Sequence, residues 1–383
     1  MKIPLAWLQL TREKVRFLIA LAGISFADLL MFMQLGFKTA LLNSAVRMHQ
    51  NIEGDVFLLS PQSMALISMT NFSSRRLYEA LSVEGVESIT PIYVGFANWR
   101  NPVEKNTRQI MVIGVNPKDN VFDLPGLDES FDRIKLPDVM LFDDQSRPEY
   151  GQVAEIFNSG KEVKTELANR QITVGGLFSL GTTFGADGNI ITSDLNFLRL
   201  FPNRKKGLID IGVIHLQPNT NSDAVIATLK NKLNEGDVLV LSRDEFINYE
   251  REYWETSTPV GFVFGLGTIM GLIVGTVIVY QILYTDVADH LPEYATLKAM
   301  GYSDNYLLVL VFQQAIILAC IGFIPGLVFS TLLYQSAANA TGLPIFMTKS
   351  LIFFVYVLTL LMCCFSGAIA VSKLKSADPA DIF

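Results

Sequence analysis

Between Lys38 and Pro259 the chain contains no cysteine, and its three cysteines, Cys320, Cys363 and Cys364, all fall in long apolar runs. A segment of that size without disulfides has to be held by an ordinary hydrophobic core, and the three thiols are expected to act as small packing residues. Histidine is equally scarce. His49, His215 and His290 are isolated in sequence, which argues against a metal site. No glycine-rich turn ends in Gly-Lys-Ser/Thr; the nearest match, Gly160-Lys161-Glu162, lacks the hydroxyl that would hold magnesium, so no cofactor is expected and ATP has to bind another chain. G-x-S-x-G, H-E-x-x-H and C-x-x-C are also missing, and no catalytic residue is proposed. A net charge of -7 leaves no basic footprint for nucleic acid.

Apolar sequence, by contrast, is abundant. Hydrophobic residues make up 50% of the chain. A bilayer core about 30 Å thick needs roughly 20 mostly apolar helical residues. Phe17–Phe37, Val260–Tyr284, Leu307–Tyr334 and Leu351–Val371 meet that requirement; the last three carry no Asp, Glu, Lys or Arg, and the first carries only Asp28. The first run is longer than a signal-peptide core and no small-x-small cleavage site follows it, so it is expected to be a retained helix. Lys2, Arg12, Lys14 and Arg16 precede it and predict a cytoplasmic N-terminus in an inner (plasma) membrane. Four crossings then return the C-terminus to the cytoplasm. The acidic loop after the second span gives that orientation no support, but acidic residues count little in this bias.

The fold expected is therefore an α-helical membrane protein with four transmembrane helices and a large α+β periplasmic domain between helices 1 and 2. Residues 1–16 form a cytoplasmic amphipathic segment, 17–37 the first span and 38–259 the outer domain. Within that domain, strand chemistry at Val56–Leu59, Val86–Phe96, Arg108–Val115, Ile209–Leu216 and Val238–Leu241, with a helix at Ser222–Leu233, gives two halves that pack as one sheet. These halves lie at 50–115 and 207–242, while residues 116–206, rich in turn signals, read as an inserted second lobe. Ser242-Arg243-Asp244-Glu245 fits a capping box that opens a stalk helix at 243–259, with Pro259 at the junction. The second span, 260–284, a cytoplasmic loop, 285–306, the third span, 307–334, a periplasmic loop, 335–350, the fourth span, 351–371, and a cytoplasmic tail, 372–383, complete the chain.

Three features inside this plan carry functional expectations. Glycines at Gly261, Gly265, Gly267, Gly271 and Gly275 give the second span a small-residue face, which suits close helix packing within the chain or across a dimer equally well. Asp28 lies 11 residues into the first span, near mid-bilayer at about 1.5 Å per residue, where a carboxyl has to face protein. No intramembrane Lys or Arg is present to pair with it, so Ser or Gln hydrogen bonds, or protonation, are expected. The segment from Pro292 to Gly301 has helix chemistry with Tyr294, Leu297 and Met300 on one face. Apolar groups on a cytoplasmic loop predict a docking surface.

The order of one span, a large outer domain and three spans, with a loop of the form Glu293-x-x-x-Leu297-Lys298-Ala299-Met300-Gly301, resembles the MacB/FtsX-type ABC permeases. The ending Asp378-Pro379-Ala380-Asp381-Ile382-Phe383 is similar to the terminal tail of that family. Phe142-Asp-Asp-Gln-Ser-Arg-Pro-Glu-Tyr-Gly151 and Asp28-Leu-Leu-Met-Phe-Met-Gln-Leu-Gly36 look like the DevC-type, cyanobacterial branch. The resemblance implies a porter-like outer domain at 50–115 and 207–242 with a second lobe, in a homodimeric permease in membrane lipid that works with a separate DevA-like ABC ATPase, a DevB-like membrane fusion adaptor and a TolC-like outer-membrane channel. It implies that Glu293, Tyr294, Leu297, Lys298, Met300 and Gly301 couple to the ATPase, and that cargo, glycolipid in some DevC relatives, leaves through the adaptor. An FtsX-like transducer that regulates an envelope hydrolase and a lipoprotein-extracting permease share the same plan.

Overall fold

The computed structural model describes residues 5–119, 121–233, 236–290, 292, 300, 304–341 and 343–375. They divide into two compact units, Leu41–Thr258 and Met1–Ala40 together with Pro259–Phe383. The chain opens with α1 (Leu5–Arg12) and the long α2 (Lys14–Ala45), which continues eight residues beyond Phe37.

The extramembrane unit is built on one nine-stranded sheet. In chain order its elements are α3 (Arg47–Gln50), β1 (Val56–Leu59), β2 (Phe72–Ser73), α4 (Ser74–Ala80), β3 (Val86–Arg100), β4 (Thr107–Val115), β5 (Val139–Asp143), α5 (Val153–Asn158), β6 (Lys164–Leu167), β7 (Arg170–Phe178), β8 (Asn189–Ser193), α6 (Asp194–Leu200), β9 (Leu208–Ile209), β10 (Ile211–Leu216), α7 (Ser222–Lys232), β11 (Leu239–Ser242) and α8 (Arg243–Glu252). The strand order is β11-β1-β10-β3-β4-β8-β5-β7-β6, while β2 and β9 form a separate pair. Alternation along the strands sends side chains to two cores. Val56 and Leu58 of β1 join Leu77, Leu229 and Phe197 on one face. Phe57 and Leu59 join Met48, Phe122 and Phe246 on the other. Both faces are covered, which is why β1 is apolar throughout instead of alternating with polar residues.

Two expectations change here. Residues 116–206, expected as a second lobe, share the main sheet, because β8 pairs in parallel with β4, from Met111↔Asn189 to Val115↔Ser193, and draws β5, β7 and β6 in beside it. The 15 residues of β3 serve both halves: its start pairs with β10, its end with β4, and Trp99 reaches Leu167 of β6. The strand read at Ile209–Leu216 is divided at Asp210. Its buried carboxylate accepts from Val94 N at 2.8 Å and from Arg204, and this breaks the ladder between β9 and β10.

The stalk helix opens as its sequence indicates. Ser242 Oγ accepts from Glu245 N, and the Glu245 carboxylate accepts from Ser242 N. It does not continue as one helix to residue 259. A π-helical turn follows at Tyr253–Ser257, and Thr258 is extended, at φ -118 and ψ 161, because a residue before proline is pushed out of the helical region.

The second unit contains α1, most of α2, and then α9 (Pro259–Asp289), α10 (Asp304–Thr341) and α11 (Lys349–Lys375). Together with α2 these give, among the described residues, four helices long and apolar enough to cross a membrane. The fold is thus four spans with a large α/β domain between the first and the rest. Ala20, Ile24 and Ala27 of α2 pack against Val279 and Leu283 of α9, Ala315 and Ala319 of α10, and Met362 and Cys363 of α11. Small side chains let these backbones approach closely, which is the main attraction between helices that lipid solvates as well as protein does.

Candidate functional site: a clasp between connecting helices

Two short helical segments lie beside each other in the extramembrane unit: the end of α2 with α3, which follows the first span, and α8 with its π turn, which precedes the second. Phe246 of α8 is buried, stacked on Phe57 at 4.2 Å and packed on the His49 ring at 4.5 Å between centroids. Burying a side chain of that size contributes about 1.5–3 kcal/mol and seats α8 on the sheet. One turn further on, Glu250 accepts from Trp254 Nε1 and from Leu66 N, each at 2.8 Å, with His49 Nε2 3.5 Å away. Burial pushes the Glu250 carboxyl up to about 7 and the His49 imidazole down to about 3. At neutral pH His49 is therefore uncharged, and the pair is a packed polar contact instead of an ion pair.

Polar contacts extend the clasp in both directions. Arg243 donates to Gln50 O at 3.0 Å, Arg251 reaches Asn43 at 3.3 Å, and Leu42, Ala45, Tyr253 and Trp254 cluster beyond them. The chain thus leaves one span and enters the next through two segments fastened side by side, and α8 bears directly on β1. Only half of this carries a local signal. The capping box places α8, but Glu250 and Trp254 carry no motif, and His49 read as an isolated surface or packing residue.

The residues singled out from sequence are placed as follows. Asp28 is fully buried, and Thr359 Oγ1 of α11 donates to its Oδ1 at 2.6 Å; the partner is a threonine rather than the expected Ser or Gln. Gly271 faces Met31 and Leu30, Gly275 faces Met362 and Ala27, and Gly267 faces Gln34, so these three pack inside the chain. A Cβ on Gly265 would meet nothing within 4 Å, and Gly261 is half-buried. Glu293, Tyr294, Leu297, Lys298 and Gly301 lie outside the described residues, as does the tail from 376 to 383; Met300 is exposed.

Asp286 and Asp289, expected in a loop, are the last turn of α9. Asp289 pairs with Arg16, and Asp286 accepts from Gln314 Nε2 at 2.9 Å, which in turn approaches Gln9 of α1 at 3.3 Å. The acidic residues that gave the orientation rule no support are therefore partly neutralised by the basic cluster ahead of the first span. The Phe142–Gly151 segment is structural. Asp143 accepts from Leu180 N, Gly181 N, Gln145 N and Asn189 Nδ2, and Trp99 Nε1 donates to Tyr150 O. Among the described residues no group of three or more His, Cys, Asp or Glu is placed to hold a metal.

Four apolar helices with a large domain between the first and second define a multi-pass membrane protein. Residues 265–379, covering the last three spans, match the FtsX-like permease C-terminal family model. The C-terminal part of the chain therefore carries an FtsX-like permease domain. Among solved structures it is similar to the periplasmic region of MacB from Actinobacillus actinomycetemcomitans, at 12% identity and a TM-score of 0.37, covering 51% of this chain and 91% of that one. It is also similar to the extracellular domain of the noncanonic ABC-type transporter YknZ from Gram-positive bacteria, at 11% identity and a TM-score of 0.35, covering 49% and 99%. No curated protein matches the chain.

Proposed function

We propose that this permease is the mechanical subunit of a tripartite exporter in the inner membrane. A separate DevA-like ATPase binds ATP and docks on the cytoplasmic segment around Leu297, Lys298 and Met300. Closure of two ATPase copies moves the second span of each permease in a homodimer. The outer domain follows and drives cargo, of which glycolipid is one class, into a DevB-like adaptor and a TolC-like channel.

The observation that carries this reading is the clasp. Because α8 is fastened to the segment after the first span through Arg243, Arg251 and the packing of Glu250 on His49, and to β1 through Phe246, a displacement of α9 at Pro259 cannot be absorbed by α8 alone. The test is to separate push from response. A flexible Gly-Ser insertion between Thr258 and Pro259 is expected to leave membrane insertion, ATPase binding and hydrolysis intact while cargo export falls at least tenfold. Unchanged export would remove the mechanical reading. A second variant, Leu297→Asp, places an unpaired charge in the docking contact, where several kcal/mol are at stake, and should abolish ATPase association. Export that persists without adaptor or channel would favour an FtsX-like transducer or a lipoprotein-extracting permease.

A further inference from the structure

The clasp leaves an apolar surface beside it that none of the roles above uses. Two loops meet there, one bonded to α8 and the other packed on the π turn. In the first, Ser60–Ser73, Met64 and Ser68 close a tight turn with Met64 and Ile67 exposed at its tip. In the second, Leu177–Ala186, Phe184 is partly exposed and lies edge-on to Trp254 at 4.5 Å. The loops are locked together, since a Cβ on Gly185 would stand 2.2 Å from Ile67 Cγ2. Neither loop contains an Asp, Glu, Lys or Arg. An exposed apolar tip without charges, held rigidly, is unusual on a surface that faces only water.

Chain connectivity says what lies next to it. Trp254 is five residues before Pro259, where α9 begins, so it stands within about 18 Å of that point even on a fully extended chain. Independently, α2 runs unbroken from the first span, and Ala45, which packs with Trp254, is eight residues past Phe37, or about 12 Å along a helix. Both tethers keep the Trp254 cluster close to the bilayer, whose headgroup layers extend about 5–8 Å beyond the hydrocarbon on each side. Aromatic and apolar tips favour that layer.

We infer that Met64, Ile67 and Phe184 form a foot that rests in the lipid headgroup layer of the leaflet from which the second span starts. The foot is fastened to the clasp through the Leu66 N to Glu250 bond, so the lipid surface braces the same element that the mechanism loads.

The experiment uses the full chain with Cys320, Cys363 and Cys364 replaced by alanine and one new cysteine at Met64, Ile67 or Phe184. Ser88 is the control. It is exposed on β3 opposite His215, at the end of the sheet remote from Leu59, where the Ser60–Ser73 loop departs. Each site carries an environment-sensitive NBD label, and the protein is placed in phosphatidylcholine nanodiscs with or without doxyl-labelled lipid. Labels at 64, 67 and 184 are expected to be quenched by shallow doxyl lipid at least twofold more than the label at 88. Met64 is the least packed of the three and serves if Phe184→Cys fails to fold. Quenching equal to the Ser88 control overturns the inference. So does a protected label that doxyl lipid fails to quench and that becomes exposed when each disc holds a single copy, because a second copy of the chain would then be the occupant.

Discussion

The span bundle and the extramembrane domain use buried polar atoms for different purposes. In the bundle they are few and tie one helix to another: Asp28 to Thr359, Ser366 Oγ to Thr276 O, Ser25 Oγ to Gly322 O. Helix backbones there satisfy themselves, as they must in hydrocarbon, and close approach is arranged by glycine and alanine. In the domain, buried carboxylates hold loops by accepting backbone N–H groups that no strand satisfies. Asp143 holds the Leu180–Gly181 turn, Asp210 holds Val94, and Glu250 holds Leu66. Removing such a hub orphans several donors, whereas removing a bundle contact costs one bond.

The largest expected effect follows from that asymmetry. Asp143→Ala leaves three backbone N–H groups and the Asn189 amide without their acceptor, and charge-assisted bonds of this kind contribute about 1.5–3 kcal/mol each when buried. A loss of about 3–5 kcal/mol is expected, seen as a lower thermal midpoint of domain tryptophan fluorescence in the detergent-solubilised chain. A shift under 2 °C would mean that the hub is dispensable.

The clasp comes next, and its pH dependence has two opposed parts. Glu250 rises from 4.5 to about 7, so its contribution is fully present below 4.5 and is lost as pH climbs through 7. His49 falls from 6.5 to about 3, so its contribution is present above 6.5 and is lost as pH drops through 3. Between 4.5 and 6.5 the two slopes cancel; above 6.5 only Glu250 acts, over about half a pH unit, a net loss of about 0.7 kcal/mol. Wild type is expected to lose stability from pH 6 to 8 while Glu250→Gln does not. Parallel pH profiles for the two proteins would remove the carboxyl from this account.

Glycine packing gives an internally controlled effect. Gly275→Val drives a side chain into Met362 and Ala27, an overpacking cost of about 1–3 kcal/mol, while Gly265→Ala meets open space and is expected to be neutral or slightly helix-stabilising. Equal loss of thermal stability in the two variants would show that a second copy, not this chain, lies against Gly265.

Legibility from sequence differed between the two regions in the same way as their chemistry. The spans announce themselves because uninterrupted apolar runs have one reading, and only their ends shifted, at Ala45 and Asp289, where helix continues past the hydrophobic stretch. Val56–Leu59 was legible to the residue. The joining of 116–206 into the nine-stranded sheet was not, because the parallel β4–β8 pairing is non-local and leaves no local periodicity to read. The clasp was half legible: a capping box is a local signal, but the meeting of His49 with Glu250 joins residues about 200 apart in the chain. Asp28 stood out by its charge, while its partner Thr359, an ordinary residue for a spanning helix, did not.

The smallest expected effect concerns that pair. In the bundle a single interhelical hydrogen bond is worth about 0.6 kcal/mol on average and rarely more than about 1.7, since unassembled helices also find partners in the bilayer. Thr359→Val keeps the shape of the side chain and deletes the one donor to Asp28 Oδ1, while Asp28→Asn retains an acceptor for the Thr359 hydroxyl. If the contact only ties α2 to α11, Thr359→Val should lower the thermal midpoint slightly, Asp28→Asn should match wild type, and ATPase-coupled export should be unchanged in both. A functional carboxyl would give the opposite pattern, with Asp28→Asn folded and stable but export lost. Measuring midpoint and export in the same two variants therefore decides whether the single acidic residue in the first span belongs with the helix ties of the bundle or stands outside that rule.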